Sequence, residues 1–173
     1  MKKLIVYYKV ASYILIVIAG ILSLVDVFSL LIALANPIML LSVFILTGVI
    51  IYSFASFTFF TRSIQNGRQC KPNLKDWIKV NAYVSIAFGL LVIVQNISFF
   101  SSPANMNEVL KQVNEMQRQM KTPGVATSTI MSTFKTILYF MVVYALLLLA
   151  HIFMTFRLLK ENNHLFGDKP TQD

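Results

Sequence analysis

The sequence is poor in charge and in cysteine. Only 13% of its 173 residues are charged, whereas soluble domains carry about 25%. A chain of about 150 residues leaves roughly a third of its surface in water, so this charge content excludes an ordinary soluble globular protein. The single cysteine, Cys70, cannot form an internal disulfide, which excludes a disulfide-stapled secreted framework.

Catalytic and metal-binding side chains are also scarce. The chain has two histidines and seven acidic residues, and it contains no glycine-rich phosphate loop and no serine–histidine–aspartate set. A zinc site needs three or four suitable ligands, and Cys70 has no histidine in its own segment to act as a base. We therefore expect no metal, no cofactor and no enzymatic activity, with Cys70 a thiol without chemistry.

Apolar side chains, in contrast, are abundant. Hydrophobic residues make up 57% of the chain, 14 residues are Phe and 7 are Tyr, and the mean hydropathy is +0.69. Disordered chains are poor in aromatic residues, so disorder is excluded as well. The remaining class is an integral membrane protein.

Four apolar runs are long enough to cross a bilayer, which takes about 20 residues. Between Lys9 and Arg62 the only charged residue is Asp26, and this interval has room for two spans. Asn36-Pro37 is the best break within it, because proline lacks a backbone donor and restricts the residue before it. We predict a single membrane domain over 1–173, with spans at about 10–34, 38–60, 78–100 and 136–156 and a polar tail at 157–173.

The beginning of the chain also resembles a signal peptide. It combines Lys2 and Lys3, an apolar run and an Ala-Leu-Ala segment at 33–35. The apolar region of a signal peptide is only about 7–15 residues long, whereas the run here is far longer and contains Asp26. We therefore expect a retained first span.

The distribution of Lys and Arg indicates the orientation, because basic residues collect on the cytoplasmic side of spans. Eleven of the 15 lie in the N-terminus, the link between spans two and three, and the tail. The other four lie between spans three and four, so both termini are expected in the cytoplasm of a cell inner membrane. Tyr7, Tyr8 and Trp77 lie near the predicted cytoplasmic boundaries, where aromatic rings act as anchors. The net charge of +8 is therefore explained by basic residues that lie beside a lipid bilayer. The bilayer is the expected partner, and no nucleic acid is expected to bind.

Each predicted span carries a narrow stripe of small or polar side chains when it is drawn as a helix. Lipid tails are as apolar as leucine, so membrane helices associate through close packing of small residues and through hydrogen bonds. We therefore expect the stripes to face one another in an antiparallel four-helix bundle. The stripes are Ser12, Ala19, Ser23 and Asp26; Ser42, Ser53 and Ser56; Asn81, Ser85, Gly89 and Asn96; and Tyr144, His151 and Thr155.

Asp26, Gln95 and Asn96 form a candidate polar cluster. They lie roughly 25 Å along their spans from the predicted cytoplasmic boundary, which places them near the outer interface. An ionisable residue in a span is a candidate functional site, so one interpretation is an outward-facing pocket for a cation or a proton. The favoured interpretation is structural, with Asp26 reaching interfacial water or hydrogen-bonding spans one and three.

His151 and Tyr144 are the second pair of candidate polar residues inside the membrane. His151 lies about 9 Å inside the predicted cytoplasmic boundary. A lone imidazole can act as a proton-sensitive switch or as a ligand, and a single axial ligand to haem is one such role. We favour a hydrogen bond from His151 to a tyrosine or asparagine of a neighbouring span.

The segment between spans three and four has an amphipathic pattern, with apolar residues at spacings of three and four. It predicts an extra helix at about 103–120, outside the bilayer, and Pro123-Gly124 is the stop signal that follows it. This helix lies on the outer membrane surface or folds over its own bundle, or it binds a membrane-protein partner or a second copy of the chain as a short zipper. The candidate interaction residues are Met106, Val109, Leu110, Val113, Met116 and Met120.

The run SFTFFTRSIQNGRQCKPNLKDWIKVNAYVS, with its flanking spans, resembles a group of uncharacterised small four-span inner-membrane proteins of Bacteroidota-type bacteria. The likeness lies in the overall layout and in this link, and it covers the chain to about Phe100. It implies a bacterial inner-membrane location, and it implies no activity and no site residues.

Together these patterns predict an all-α integral membrane bundle with an extra amphipathic helix. We expect a non-enzymatic structural, accessory or interaction subunit of a membrane assembly. The alternative is a small transporter or channel component that forms a pore only as an oligomer, with Asp26 near its outer mouth.

Overall fold

The secondary structure is helical. The computed structural model describes residues 2–102, 105, 107, 108, 110–112, 115 and 127–166, and over these residues it contains helices and turns but no strands. This confirms the all-α class for the described part of the chain. The long helices are α1 (Lys2–Ala35), α2 (Leu40–Phe59), α3 (Pro72–Ser101) and α4 (Thr127–Glu161).

Within the described residues, four helical stretches are long and apolar enough to cross a membrane, as the hydropathy pattern predicts. They are longer than the predicted spans, because helical hydrogen bonding continues into polar segments that hydropathy leaves out. The difference is largest at α4, which begins at Thr127 and not near residue 136. The four stretches are Lys3–Ala35, Pro37–Gln65, Asn73–Ser101 and Thr129–Glu161.

The predicted break at Asn36-Pro37 is confirmed. α1 ends at Ala35, and a 3₁₀ turn at Pro37–Met39 leads into α2. The side chain of Asn36 caps this turn, since its Oδ1 accepts a hydrogen bond from the Ile38 backbone N–H at 3.3 Å. Proline is tolerated in the first turn of a helix because its missing N–H would have no partner there.

α2 ends in a π-helix at Phe60–Gln65, which the sequence patterns did not predict. The wider turn places both Phe60 and Ser63 in the protein interior. The chain then reverses at Gly67, whose φ of +62° lies in the left-handed region. Only glycine adopts this conformation readily.

The chain divides into two compact units, whose boundaries fall inside α3 and α4. Unit 1 consists of Met1–Phe88 and Leu147–Asp173, and unit 2 is Gly89–Leu146. Within unit 1, α1 and α2 run antiparallel, because Tyr8 contacts Phe60 with ring centroids 5.5 Å apart and Tyr13 contacts Phe57 at 5.4 Å.

α2 and α3 approach closely in unit 1. A Cβ atom added to Gly48 would lie 2.7 Å from Cγ1 of Val84 and 3.7 Å from Oδ1 of Asn81. Only glycine fits this position without displacing its neighbours. The last part of α4 packs on the first part of α3, where the rings of Tyr83 and Phe156 lie 5.7 Å apart.

Unit 2 contains the second part of α3 and the first part of α4. These helices run antiparallel and are joined by aromatic contacts, since Phe99 contacts Phe134 at 5.9 Å and Phe100 contacts Tyr139 at 5.1 Å. A four-helix bundle and a single domain over the whole chain remain predictions.

The outer amphipathic helix remains a prediction too. Of the six candidate interaction residues, only Leu110 is described, with helical backbone and a half-buried side chain. The other five, Met106, Val109, Val113, Met116 and Met120, lie outside the described residues.

Candidate functional site

A buried polar cluster joins three helices of unit 1 around His151. α1 supplies Tyr8 and Ser12, α2 supplies Tyr52, and α4 supplies His151 and Thr155. All five side chains are at most 2% exposed. Their spacing follows from the helix period, because residues four apart lie on the same face, as Tyr8 and Ser12 do on α1 and His151 and Thr155 do on α4.

Both ring nitrogens of His151 have hydrogen-bond partners on other helices. Nε2 lies 2.9 Å from Oγ of Ser12, and Nδ1 lies 2.8 Å from the hydroxyl oxygen of Tyr52. The predicted hydrogen bond between His151 and a tyrosine of another helix is thus observed. Because the imidazole joins α4 to both α1 and α2, it acts as a crosslink within unit 1.

The hydroxyl groups around His151 determine which ring nitrogen carries the proton. Thr155 donates to the His151 backbone carbonyl at 2.8 Å, and a hydroxyl has one proton. The Tyr52 hydroxyl, 2.8 Å from Oγ1 of Thr155, must therefore donate to Thr155, and its oxygen accepts from Nδ1–H of His151. Nε2 is then unprotonated and accepts from Ser12. Satisfying the network in this way assigns a neutral imidazole with its proton on Nδ1.

Tyr8 covers one face of the imidazole. Its ring stacks on the His151 ring with centroids 4.5 Å apart and planes 9° from parallel. Its hydroxyl oxygen lies 3.2 Å from Oγ1 of Thr155. Tyr8 therefore belongs to the cluster and is fully buried, and its role as an interface anchor stays a prediction. Tyr7 and Trp77 are 68% and 56% exposed, and their role as anchors also stays a prediction.

Asp26 is hydrogen-bonded to α2. Oγ1 of Thr47 donates to Oδ2 of Asp26 at 2.7 Å, a contact that the sequence patterns did not predict. The second carboxylate oxygen, Oδ1, is buried and has no hydrogen-bond partner among the described residues. One carboxylate oxygen of Asp26 is therefore bonded to Thr47, and the other is a buried acceptor without a donor among the described residues.

Gln95, Asn96 and Tyr144 lie in unit 2, whereas Asp26 and His151 lie in unit 1. Gln95 is exposed and Asn96 is buried, with the Asn96 amide donating to the Val92 carbonyl at 2.8 Å. Within the described part of the chain, Oδ1 of Asn96 and the hydroxyl of Tyr144 are buried without a hydrogen-bond partner. The pairing of Asp26 with Gln95 or Asn96 remains a prediction.

The predicted polar stripes are mostly buried. Ser23 and Asp26 are half-buried, and the prediction is wrong for Ser42, which is exposed. Ser42 lines a cavity of about 130 Å³ between the ends of α1 and α2, with Ser29 and Ile32 of α1 on its other side. The buried stripe residues are Ser12, Ala19, Ser53, Ser56, Asn81, Ser85, Gly89, Asn96, Tyr144, His151 and Thr155.

Cys70 has a packing role. Its side chain is buried, and Sγ lies 2.8 Å from Oγ of Ser63 in the π-helix. Its backbone N–H donates to the carbonyl of Leu165 at 2.9 Å, and the Phe59 and Phe166 rings stack at 5.3 Å. The link between α2 and α3 is therefore attached to the turn that follows α4.

The chemistry available to these residues is limited. Among the described residues, no group of three or more His, Cys, Asp or Glu side chains could hold a metal ion. In the histidine cluster both imidazole nitrogens are already bonded within the chain, so the arrangement serves to hold helices together. Comparisons of the chain with protein-family models, with curated proteins and with solved structures found no match.

Proposed function

We propose that the chain is a multi-pass inner-membrane protein with both termini in the cytoplasm. Large apolar side chains cover the outside of the helices, and Leu34 and Phe153, for example, are 73% and 72% exposed. Soluble monomers rarely expose large contiguous apolar patches, whereas lipid tails solvate such side chains well. The excess of Lys and Arg in three of the segments outside the spans supports the orientation.

Within that membrane we propose a non-enzymatic accessory or interaction subunit. One observation carries this proposal: His151 is fully buried, and both of its ring nitrogens are hydrogen-bonded inside the chain, out of reach of a substrate. The imidazole of His151, which is the side chain best suited to catalysis, therefore acts as a structural crosslink between α1, α2 and α4. In this proposal the packed membrane helices hold the outer segment in position, and the predicted amphipathic helix at 103–120 contacts the partner protein.

A labelling experiment tests orientation and partner binding together. In a Cys70→Ser background, Asn107→Cys and Gln69→Cys place one exposed cysteine in the outer segment and in the cytoplasmic link. A membrane-impermeant maleimide with a photoreactive group is added outside intact cells. We expect it to label Asn107→Cys and not Gln69→Cys, and illumination should join the labelled chain to another membrane protein.

Each result has a clear meaning. Labelling of Gln69→Cys from outside would contradict the orientation. If Asn107→Cys is labelled but forms no crosslink to a protein, and native mass spectrometry shows a lone chain, then the subunit proposal fails. Labelling of both variants after permeabilisation is the control that both cysteines react.

The alternative is a small transporter or channel component that forms a pore as an oligomer. The observation that favours it is the buried Oδ1 of Asp26, which has no hydrogen-bond partner among the described residues. Acidic side chains inside a membrane often mark ion or proton pathways. An unsatisfied carboxylate oxygen beside Thr47 could receive a proton or a cation.

Liposome flux measurements test this alternative. If the chain conducts ions, proteoliposomes should carry protons or sodium faster than empty liposomes. The Asp26→Asn variant should lower this flux on the order of tenfold, as expected when about 1.4 kcal/mol of ion binding is lost. Asp76→Asn makes the same change at an exposed carboxylate of α3, away from Thr47 and Asp26, and serves as the matched control. Equal flux in empty and protein-containing liposomes would rule the alternative out.

A further inference from the structure

A basic cavity of about 390 Å³ lies between the first turns of α3 and the last turns of α4, within unit 1. Three of its lining residues are lysines, and two are aromatic. Lys75 is held by a hydrogen bond from its Nζ to Oδ1 of Asn163. The lining residues are Lys75, Lys79, Tyr83, Phe156, Leu159, Lys160 and Asn163.

The positive charge of this cavity is not balanced within the described part of the chain. None of the three lysines forms a salt bridge with a described acidic residue. Of the two acidic residues nearest in sequence, Glu161 pairs with Arg157 at 3.0 Å, and Asp76 is exposed and lines a different cavity beside Trp77. Cations near a helix N-terminus are disfavoured by the helix dipole, so the position of Lys75 does not stabilise α3. A bound anion would offset the charge of all three lysines.

The lining of the cavity changes from basic to aromatic along α3. Lys75, Lys79 and Tyr83 follow one another at intervals of four residues, about 6 Å each, on one face of the helix. The lysines are therefore at the predicted cytoplasmic end, and Tyr83 lies one turn deeper, beside Phe156. Tyr83 is 65% exposed, so the aromatic end is open towards the surroundings of the helices. This order of charge followed by apolar surface matches a lipid, whose phosphate precedes its acyl chains.

We propose that this cavity binds the phosphate group of an anionic phospholipid of the cytoplasmic leaflet. Lys79 and Lys160 contact the phosphate, Lys75 is held nearby by Asn163, and the acyl chains lie along Tyr83 and Phe156. Basic pockets between membrane helices on the cytoplasmic side are suited to anionic headgroups. The inference rests on the membrane-spanning part of the proposed function and is independent of any partner protein.

Native mass spectrometry of the full-length chain in neutral detergent tests the site. The chain is titrated with phosphatidylglycerol, with phosphatidylcholine and with inorganic phosphate. In the variant Lys79→Gln/Lys160→Gln we expect phosphatidylglycerol binding to weaken about 30-fold, because each lysine near an anionic lipid contributes about 1 kcal/mol. The matched control is Lys9→Gln/Lys71→Gln, which removes the same charge from two exposed lysines on the same predicted side. It should change binding less than about threefold, since it leaves the cavity intact.

Three results would overturn the inference. They are equal weakening in the control variant, equal binding of phosphatidylglycerol and phosphatidylcholine, and displacement of the lipid by inorganic phosphate at the same concentration. The last result would identify a site for a free anion. If the chain needs no detergent to stay in solution, the membrane function itself fails, whereas a membrane protein without the lysine dependence disproves only the lipid site.

Discussion

Replacing Gly48 with alanine is expected to destabilise the packing of α2 against α3 by about 1–3 kcal/mol, the usual cost of forcing extra volume into a packed interior. The added Cβ would lie 2.7 Å from Cγ1 of Val84. Val84 is β-branched and has one strongly preferred rotamer in a helix, so it cannot move aside easily. Thermal unfolding of the purified chain in detergent measures the effect.

Gly20 provides a matched control for Gly48, because it also lies in a membrane-capable helix but has open space around it. A Cβ at Gly20 would meet nothing within 4 Å. Gly20→Ala should therefore be neutral, or stabilising by up to about 1 kcal/mol, since alanine has the better helix propensity. Val84→Ala combined with Gly48→Ala should recover part of the loss. Equal effects of the two glycine substitutions would contradict the close approach of α2 and α3.

Replacing His151 with leucine is expected to lower the stability of the chain by about 2–4 kcal/mol. Leucine leaves the Ser12 hydroxyl without its acceptor and the Tyr52 hydroxyl oxygen without its donor, and an unsatisfied buried polar group costs about 1–3 kcal/mol. The lower half of this range applies if the groups find new partners, as they often do inside membranes. Unfolding temperatures should fall by about 5–10 °C.

Two further variants make the test of His151 specific. His151→Asn presents an amide N–H near the position of Nδ1–H, so it should retain the bond to Tyr52 and lose less stability than His151→Leu. Phe153→Leu changes an exposed side chain of the same helix and should stay within about 0.5 kcal/mol of the parent chain. An asparagine variant as unstable as the leucine variant would contradict a stabilising hydrogen bond between residue 151 and Tyr52.

The number of membrane-capable helices and the break at Asn36-Pro37 were predictable because they depend on local properties. A run of about 20 apolar residues defines a span wherever it occurs, and proline lacks the N–H that a helix interior requires. The buried faces were largely predictable for a similar reason. Ser53 and Ser56 on α2 and His151 and Thr155 on α4 stand out as polar positions on apolar helices.

Contacts between helices were less predictable, because sequence patterns locate a face but not its neighbour. Asp26 was expected to face interfacial water or span three, and its observed hydrogen bond is with Thr47 of α2. Gly48 did not stand out, because a single glycine in an apolar run looks like any other small residue until the approach of Val84 is known. The π-helix at Phe60–Gln65 has no recognised signal in the residues that form it.

The sequence by itself determined that the described part of the chain is helical, with four helical stretches apolar enough to cross a membrane, and which faces of those helices carry polar side chains. Both properties follow from the composition and periodicity of single helices. Only the tertiary structure decided that Tyr8 stacks on His151 while Tyr7 stays exposed, and that two tyrosines, a serine and a threonine surround one imidazole. Those contacts depend on the rotation and the register of each helix against the others, and a difference of one residue turns a side chain by about 100°. The small share of charged residues therefore indicates a membrane protein, and the packing of the few buried polar side chains shows how the helices of unit 1 are held together.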